Sequence, residues 1–177
     1  IADPDPVIPD EFVITSGFNV LWQQTDAGGA SSIMLQRYMV PIDTVADIIS
    51  APEAAGIDGK SGDASNDPVM VGSGRAPSMA VAHDGETIVT WIDAAGLLQG
   101  RIYNADGSDN PTVLADIGSV PDGQLQQVVP LGAGNFGIVW VENDPAAGGL
   151  VVKAQTYVLG AGPGSWIPGA VQIVVDH

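Results

Sequence analysis

The sequence predicts an all-β protein built from three four-stranded antiparallel repeat units, β-propeller-like in arrangement, as a partial propeller or a sandwich. Three observations predict this. The stretch GETIVTWIDAAGLLQGRIYNADG (85–107) reads strand, turn, strand, turn. A glycine, a β run and a tryptophan follow one another in GFNVLW (17–22), GETIVTW (85–91) and GNFGIVW (134–140). A tyrosine then marks the next strand in LQRYMV (35–40), GRIYNADG (100–107) and AQTYVLG (154–160). The three tyrosines fall one per unit, as do three of the four tryptophans. Units of about 50 residues holding four strands have the size of propeller blades. One such sheet cannot cover both of its faces, so copies must stack, and each tryptophan is expected to be buried by the next copy.

The elements follow in order. Residues 1–10 (IADPDPVIPD) set three prolines among acids, and proline cannot donate to a sheet ladder, so an extended leader is expected. The first unit, 11–50, holds strands around Phe12–Thr15 and Phe18–Gln24 hinged at Ser16-Gly17, a turn from Asp26 to Gly29, a strand over Ser32–Val40, and a fourth over Val45–Ser50. Residues 51–68 form an acidic Gly/Ser loop, long enough to be functional or disordered.

The second unit, 69–123, starts with a short strand at Val69–Val71 leading into it, then a strand at Met79–Ala82 and a tight turn at His83-Asp84-Gly85. In the central hairpin, Thr87, Val89 and Trp91 alternate with Ile88, Thr90 and Ile92, and both sets are β-branched or aromatic. That predicts a strand buried on both faces. Asp93 to Gly96 supplies the turn, and Leu98–Tyr103 and Thr112–Ile117 complete the unit. The third unit, 124–177, repeats the scheme with strands at Leu125–Leu131, Phe136–Glu142, Leu150–Leu159 and Ala170–Val175.

Composition bounds function. Five basic residues stand against 21 acidic ones, for a net charge of −16. Phosphate binding needs a Lys/Arg footprint, so nucleic acid is not an expected partner, and anionic membrane surfaces are disfavoured for the same reason. No apolar run approaches a membrane span. Cysteine is absent, which excludes disulfides and a Cys-based zinc site. The acidity fits either solubility or divalent cations. A chain opening on Ile1-Ala2 suggests a processed protein or a piece of a longer one.

The segments HDGETIVTW (83–91) and GRIYNADG (100–107) resemble repeats of large secreted bacterial proteins that also carry hemolysin-type (RTX) calcium-binding repeats. The resemblance is weaker in the other units, where the D-G after Tyr38 and Tyr157 is missing, and the calcium nonapeptide GGxGxDxUx does not occur. It implies an extracellular, non-catalytic, β-propeller-like segment of a secreted bacterial protein.

Candidate chemistry is sparse. Asp58, Asp63, Asn66 and Asp67 lie in one Gly/Ser-rich stretch, and Asn104, Asp106 and Asp109 form a second cluster. Calcium takes six to eight oxygens from such loops, so both clusters are candidate calcium sites, or else solvated acidic turns; neither matches the EF-hand pattern. Trp166, in GPGSWIPG, sits outside the repeat and would either stack on a glycan or plug the core. His83 and His177 are the only histidines, and no G-x-S-x-G elbow is present. Asp93 and Glu142 each follow a repeat tryptophan by two residues, and paired carboxylates with Asp26 would suit glycoside hydrolysis. The expected function is a non-catalytic structural or adhesive module; the alternatives are a carbohydrate-active enzyme or a glycan- or calcium-binding accessory domain. The expected partners are another protein, further repeats of the same polypeptide or a second copy of the chain.

Overall fold

Turn residues alternate with β-branched runs along the chain, and among the described residues these runs form strands. The computed structural model describes residues 14–42, 68–82, 85–104, 111–160 and 165–176, and these are all β or turn, with no helix. The first sheet joins β1 (Ile14–Thr25), β2 (Ser31–Ile42) and β3 (Val69–Ser73) in that order. The second joins β4 (Arg75–Val81), β5 (Thr87–Ile92), β6 (Leu97–Tyr103) and β7 (Thr112–Ser119). The third joins β8 (Gln126–Gly132), β9 (Asn135–Asp144) and β10 (Gly149–Leu159), with β11 (Trp166–Pro168) and β12 (Gln172–Asp176) sharing the far edge of β10. All pairings are antiparallel, and all but that of β12 with β10 join chain neighbours, the arrangement hairpin connections favour.

The repeat is visible in the register. Trp22 pairs with Met34, Trp91 with Gln99 and Trp140 with Lys153. Four residues before each tryptophan, the same strand pairs with the tyrosine of its neighbour: Phe18 with Tyr38, Thr87 with Tyr103, Phe136 with Tyr157. The irregularity in the outer edge also recurs. The ladder shifts after Ile33 in the first sheet, after Leu98 in the second and after Val152 in the third. These are equivalent positions, each one residue before the partner of the tryptophan. A bulge there adds local twist to the outer strand of every sheet.

Several expectations change. The two strands expected between Phe12 and Gln24 are one continuous strand from Ile14, because Ser16 and Gly17 stay in register with Val40 and Met39. Val69–Ser73 does not lead into the second sheet; it pairs with β2 and closes the first. The described part of the first sheet therefore has three strands, and the expected strand at 45–50 lies outside the described residues, as do the leader and the loop at 51–67. The third sheet has five strands, because the Gly/Pro segment around Trp166 adds β11.

Two apolar clusters lie between successive sheets. Ile33, Leu35 and Val71 of the first sheet pack with Val89, Trp91 and Tyr103 of the second. Ile88, Ile92, Leu98, Ile102 and Ile117 of the second pack with Val128, Phe136, Ile138 and Trp140 of the third. The doubly apolar pattern of β5 has this cause: one face meets the first sheet and the other meets the third, and all six of its residues are buried. Among the leading strands, β4 lies against β1 on one side and β8 on the other. No strand pairing joins the third sheet to the first among the described residues.

Candidate functional site

The most specific constellation is the junction between sheets. Trp91 projects from β5 onto β3 at Gly72, where an added Cβ would fall 2.5 Å from Cζ2 of the indole and 2.8 Å from Nε1. Trp140 projects from β9 onto β7 at Gly118, where a Cβ would fall 2.6 Å from Nε1. Glycine is required at both places because the backbone itself forms the floor of the indole site. The residue just before each glycine, Val71 or Ile117, lies in the ladder shift, is 1% or 2% exposed and forms part of the same apolar cluster as the indole. Trp91 is 5% exposed and Trp140 1%. The expected direction of burial is therefore reversed: each indole is covered by the outer strand of the preceding sheet, since that strand carries the glycine.

Cations and carboxylates sit around the indoles. The Arg101 guanidinium lies 5.7 Å from the Trp91 ring centroid, within cation–π range. Trp140 Nε1–H donates to Glu142 Oε2 at 2.7 Å. Lys153, directly across the ladder, reaches Glu142 at 3.3 Å and Asp144 at 3.4 Å. Burial disfavours the Lys153 ammonium, but its hydrogen bonds and ion pairs with Glu142 and Asp144 outweigh that and raise its pKa. The Ala146 backbone N–H holds the Asp144 carboxyl below its usual range; burial opposes this, and Ala147 and Lys153 add to it.

Polar groups also tie the sheets together. Gln126 on β8 donates to the Ala76 carbonyl at 2.8 Å and accepts from the Thr90 hydroxyl at 2.6 Å, both on the second sheet. Val128 N–H donates to Ser78 Oγ at 3.0 Å. Between the first two sheets, Asn19 Nδ2 donates to Thr87 Oγ1 at 2.8 Å. Arg75 reaches across to the connection between the second and third sheets, meeting the Pro121 carbonyl at 3.3 Å and Asp122 at 3.2 Å.

The residues singled out from sequence are placed as follows. Asn104 follows β6, and its backbone carbonyl accepts from the Arg37 guanidinium at 3.3 Å. Asp58, Asp63, Asn66, Asp67, Asp106 and Asp109 lie outside the described residues, as do His83 and His177. Among the described residues no group of three or more His, Asp or Glu is placed to hold a metal ion. Trp166 is half-buried against the core, its ring 5.3 Å from that of Phe136 and tilted by 42°.

The three carboxylates considered for glycoside chemistry each serve their own hairpin. Asp26 Oδ1 accepts from the N–H groups of Gly28 and Ala30, and Asp93 Oδ1 from those of Ala95 and Leu97. Glu142 is engaged by Trp140 and Lys153. A groove of about 450 Å³ opens at this end of the first two sheets, lined by Ser31, Ser73, Arg75, Asp93 and Asp122 among others. Its charged groups are those already paired: Arg75 with Asp122, and Asp93 with its own turn and with Gln99.

Sequence reasoning identified the indoles but not their seats. A signal was available: Val71-Gly72-Ser73 and Ile117-Gly118-Ser119 share the order apolar, glycine, serine at the outer edge of their sheets. Both glycines are easily read as turn-makers, since each lies close to a chain reversal. No protein-family model matches the chain, and no curated protein is similar to it in sequence.

Proposed function

We propose that this chain is a non-catalytic structural module in which blade-like sheets are joined by an indole-on-glycine contact, and that it serves protein–protein or surface interaction as part of a larger secreted assembly. The observation that carries this reading is the repetition of the seat. Trp91 on Gly72 and Trp140 on Gly118 share the register position and the strand order, and each glycine borders a shift in its ladder. Conserving such a joint internally is the economy of a stacking protein, where stability comes from neighbour contacts. The polar groups that would be candidates for catalysis are spent on turns and on inter-sheet ties, which supports the same reading.

The succession of three antiparallel sheets, with leading strands β1, β4 and β8 side by side, supports a propeller-like arc over a sandwich. The likeness of residues 83–107 to repeats of secreted RTX-associated bacterial proteins supports an extracellular setting.

The reading is tested on two sides. Gly118→Val should lower the melting temperature and loosen the third sheet, seen as faster proteolysis of β8–β12. The wild-type chain, offered a panel of polysaccharides and chromogenic glycosides, should give no turnover. Turnover lost in Glu142→Gln or Asp93→Asn would replace this proposal with the enzymatic one.

A further inference from the structure

We propose that β12 is an open edge at which two copies of this chain join, strand to identical strand, antiparallel about a twofold axis. The occupant of the edge is the β12 of a second copy. The inference goes beyond the stacking reading, because it concerns the edge of the third sheet and not the face of any sheet.

β12 (Gln172–Asp176) pairs with β10 on one side, and among the described residues no strand pairs with it on the other. The backbone N–H and C=O groups along that outer side form a ladder open to an added strand, which binds by main-chain hydrogen bonds. The side chains along it serve no core. Val171 is 44% exposed, Ile173 55% and Val174 57%, and Ala170 and Gln172 are exposed as well. The other outer strands do bury apolar side chains, Val71 from β3 and Leu114 and Ile117 from β7. Apolar, β-branched residues left in water along a free edge mark a pairing site.

Native sheets blunt such edges with charge, proline or irregularity. β3 starts directly after Pro68, and β7 carries the exposed Asp116 in a left-handed conformation at φ 54°. From Ala170 to Val174 there is neither charge nor proline, and only the ladder shift opposite Val152 and Lys153 interrupts the strand. Charge then selects the partner. The chain carries a net −16, so two copies repel except where neutral side chains meet, and this segment is neutral. Antiparallel pairing centred on Ile173 sets that residue against its own copy and places Asp176 opposite Ala170. The acids that end the two strands therefore lie at opposite ends of the joint and do not face each other. A twofold joint uses one edge from each copy and closes, whereas pairing β12 with a different edge of the second copy would leave one β12 free to add again.

Sedimentation equilibrium over about 1–500 µM, with circular dichroism to show folding, compares the wild-type chain with Ile173→Glu. The wild type should reach twice the chain mass. Ile173→Glu should weaken association by about tenfold or more, because it sets two carboxylates against each other at the axis. The chain has no cysteine, so Ile173→Cys reads the pairing directly. Mild oxidation should convert it to a disulfide-linked dimer, while Val113→Cys, at a position 64% exposed on the edge strand β7, should stay single. The inference is overturned if the wild type keeps the single-chain mass throughout, or if folded Ile173→Glu associates as tightly as wild type. It is equally overturned if Ile173→Cys cross-links no faster than Val113→Cys. None of these outcomes touches the stacking joint, which fails instead if Gly118→Val leaves the melting temperature unchanged.

Discussion

Trp140 occupies the space that any side chain at Gly118 would need: a Cβ built there lies 2.6 Å from the indole Nε1 and 2.9 Å from Glu142 Oε2. The contact joins the third sheet to the second, and Trp91 on Gly72 repeats it between the second and the first.

Glycine at these seats is accordingly hard to replace. Gly118→Ala should destabilise the protein by about 1–3 kcal/mol, the usual cost of forcing extra volume into a packed site, and Gly118→Val by more. Gly149 has nothing within 4 Å of an added Cβ, so Gly149→Ala should stay within about 0.5 kcal/mol of wild type. Denaturant unfolding of the three variants provides the comparison, and equal effects at both glycines would refute the seat.

The buried Gln126–Thr90 pair gives a second prediction. Gln126→Leu leaves the Ala76 carbonyl and the Thr90 hydroxyl short of a partner, which should cost about 1–3 kcal/mol. Thr90→Val added to Gln126→Leu should recover part of the loss, because the hydroxyl no longer needs a partner. A double-mutant cycle by thermal melting would reveal the coupling, and strict additivity would count against it.

Acid should attack the β9–β10 hairpin first. The Asp144 pKa is lowered in the fold, chiefly by the Ala146 N–H, so its stabilising contribution is complete above the ordinary carboxylate value of 3.8 and is lost as pH falls through the lowered value. Asp144→Asn should therefore flatten the decline of melting temperature below that pH. An unchanged acid limb in this variant would exclude the assignment.

Alkaline conditions should act through Tyr157. Burial pushes its phenol up to about 12 from an ordinary value of 10.0, so the neutral form is favoured in the fold. Stability is intact below the ordinary value and declines as pH rises from there toward the raised one. Phenolate absorbance should show a late-titrating tyrosine that is missing from Tyr157→Phe, and the variant should resist alkaline unfolding better.

The strand-turn-strand units were legible because their signals are local. Thr87 to Ile92 is β-branched or aromatic on both faces, Asp93 and Gly96 make a turn by their own hydrogen bonding and backbone preference, and each repeat tryptophan is followed by one tyrosine in the next strand. The character of Trp166 was legible only as an alternative, since whether an indole in a Gly/Pro segment faces water or Phe136 depends on a strand added from far along the chain. The bond from the Arg37 guanidinium to the Asn104 carbonyl was not legible at all, because Arg37 belongs to another sheet.

By itself, then, the sequence determined that this is an all-β chain with three tryptophan-tyrosine hairpins, because β periodicity and turn chemistry are properties of adjacent residues. Only the tertiary structure decided that Val69–Ser73 closes the first sheet, that indoles are covered from the preceding side, and that Gly72 and Gly118 are seats and not turns. Those outcomes depend on which edge a short strand pairs with and how closely a backbone can approach an aromatic ring, and both are settled by contacts between residues distant in the chain.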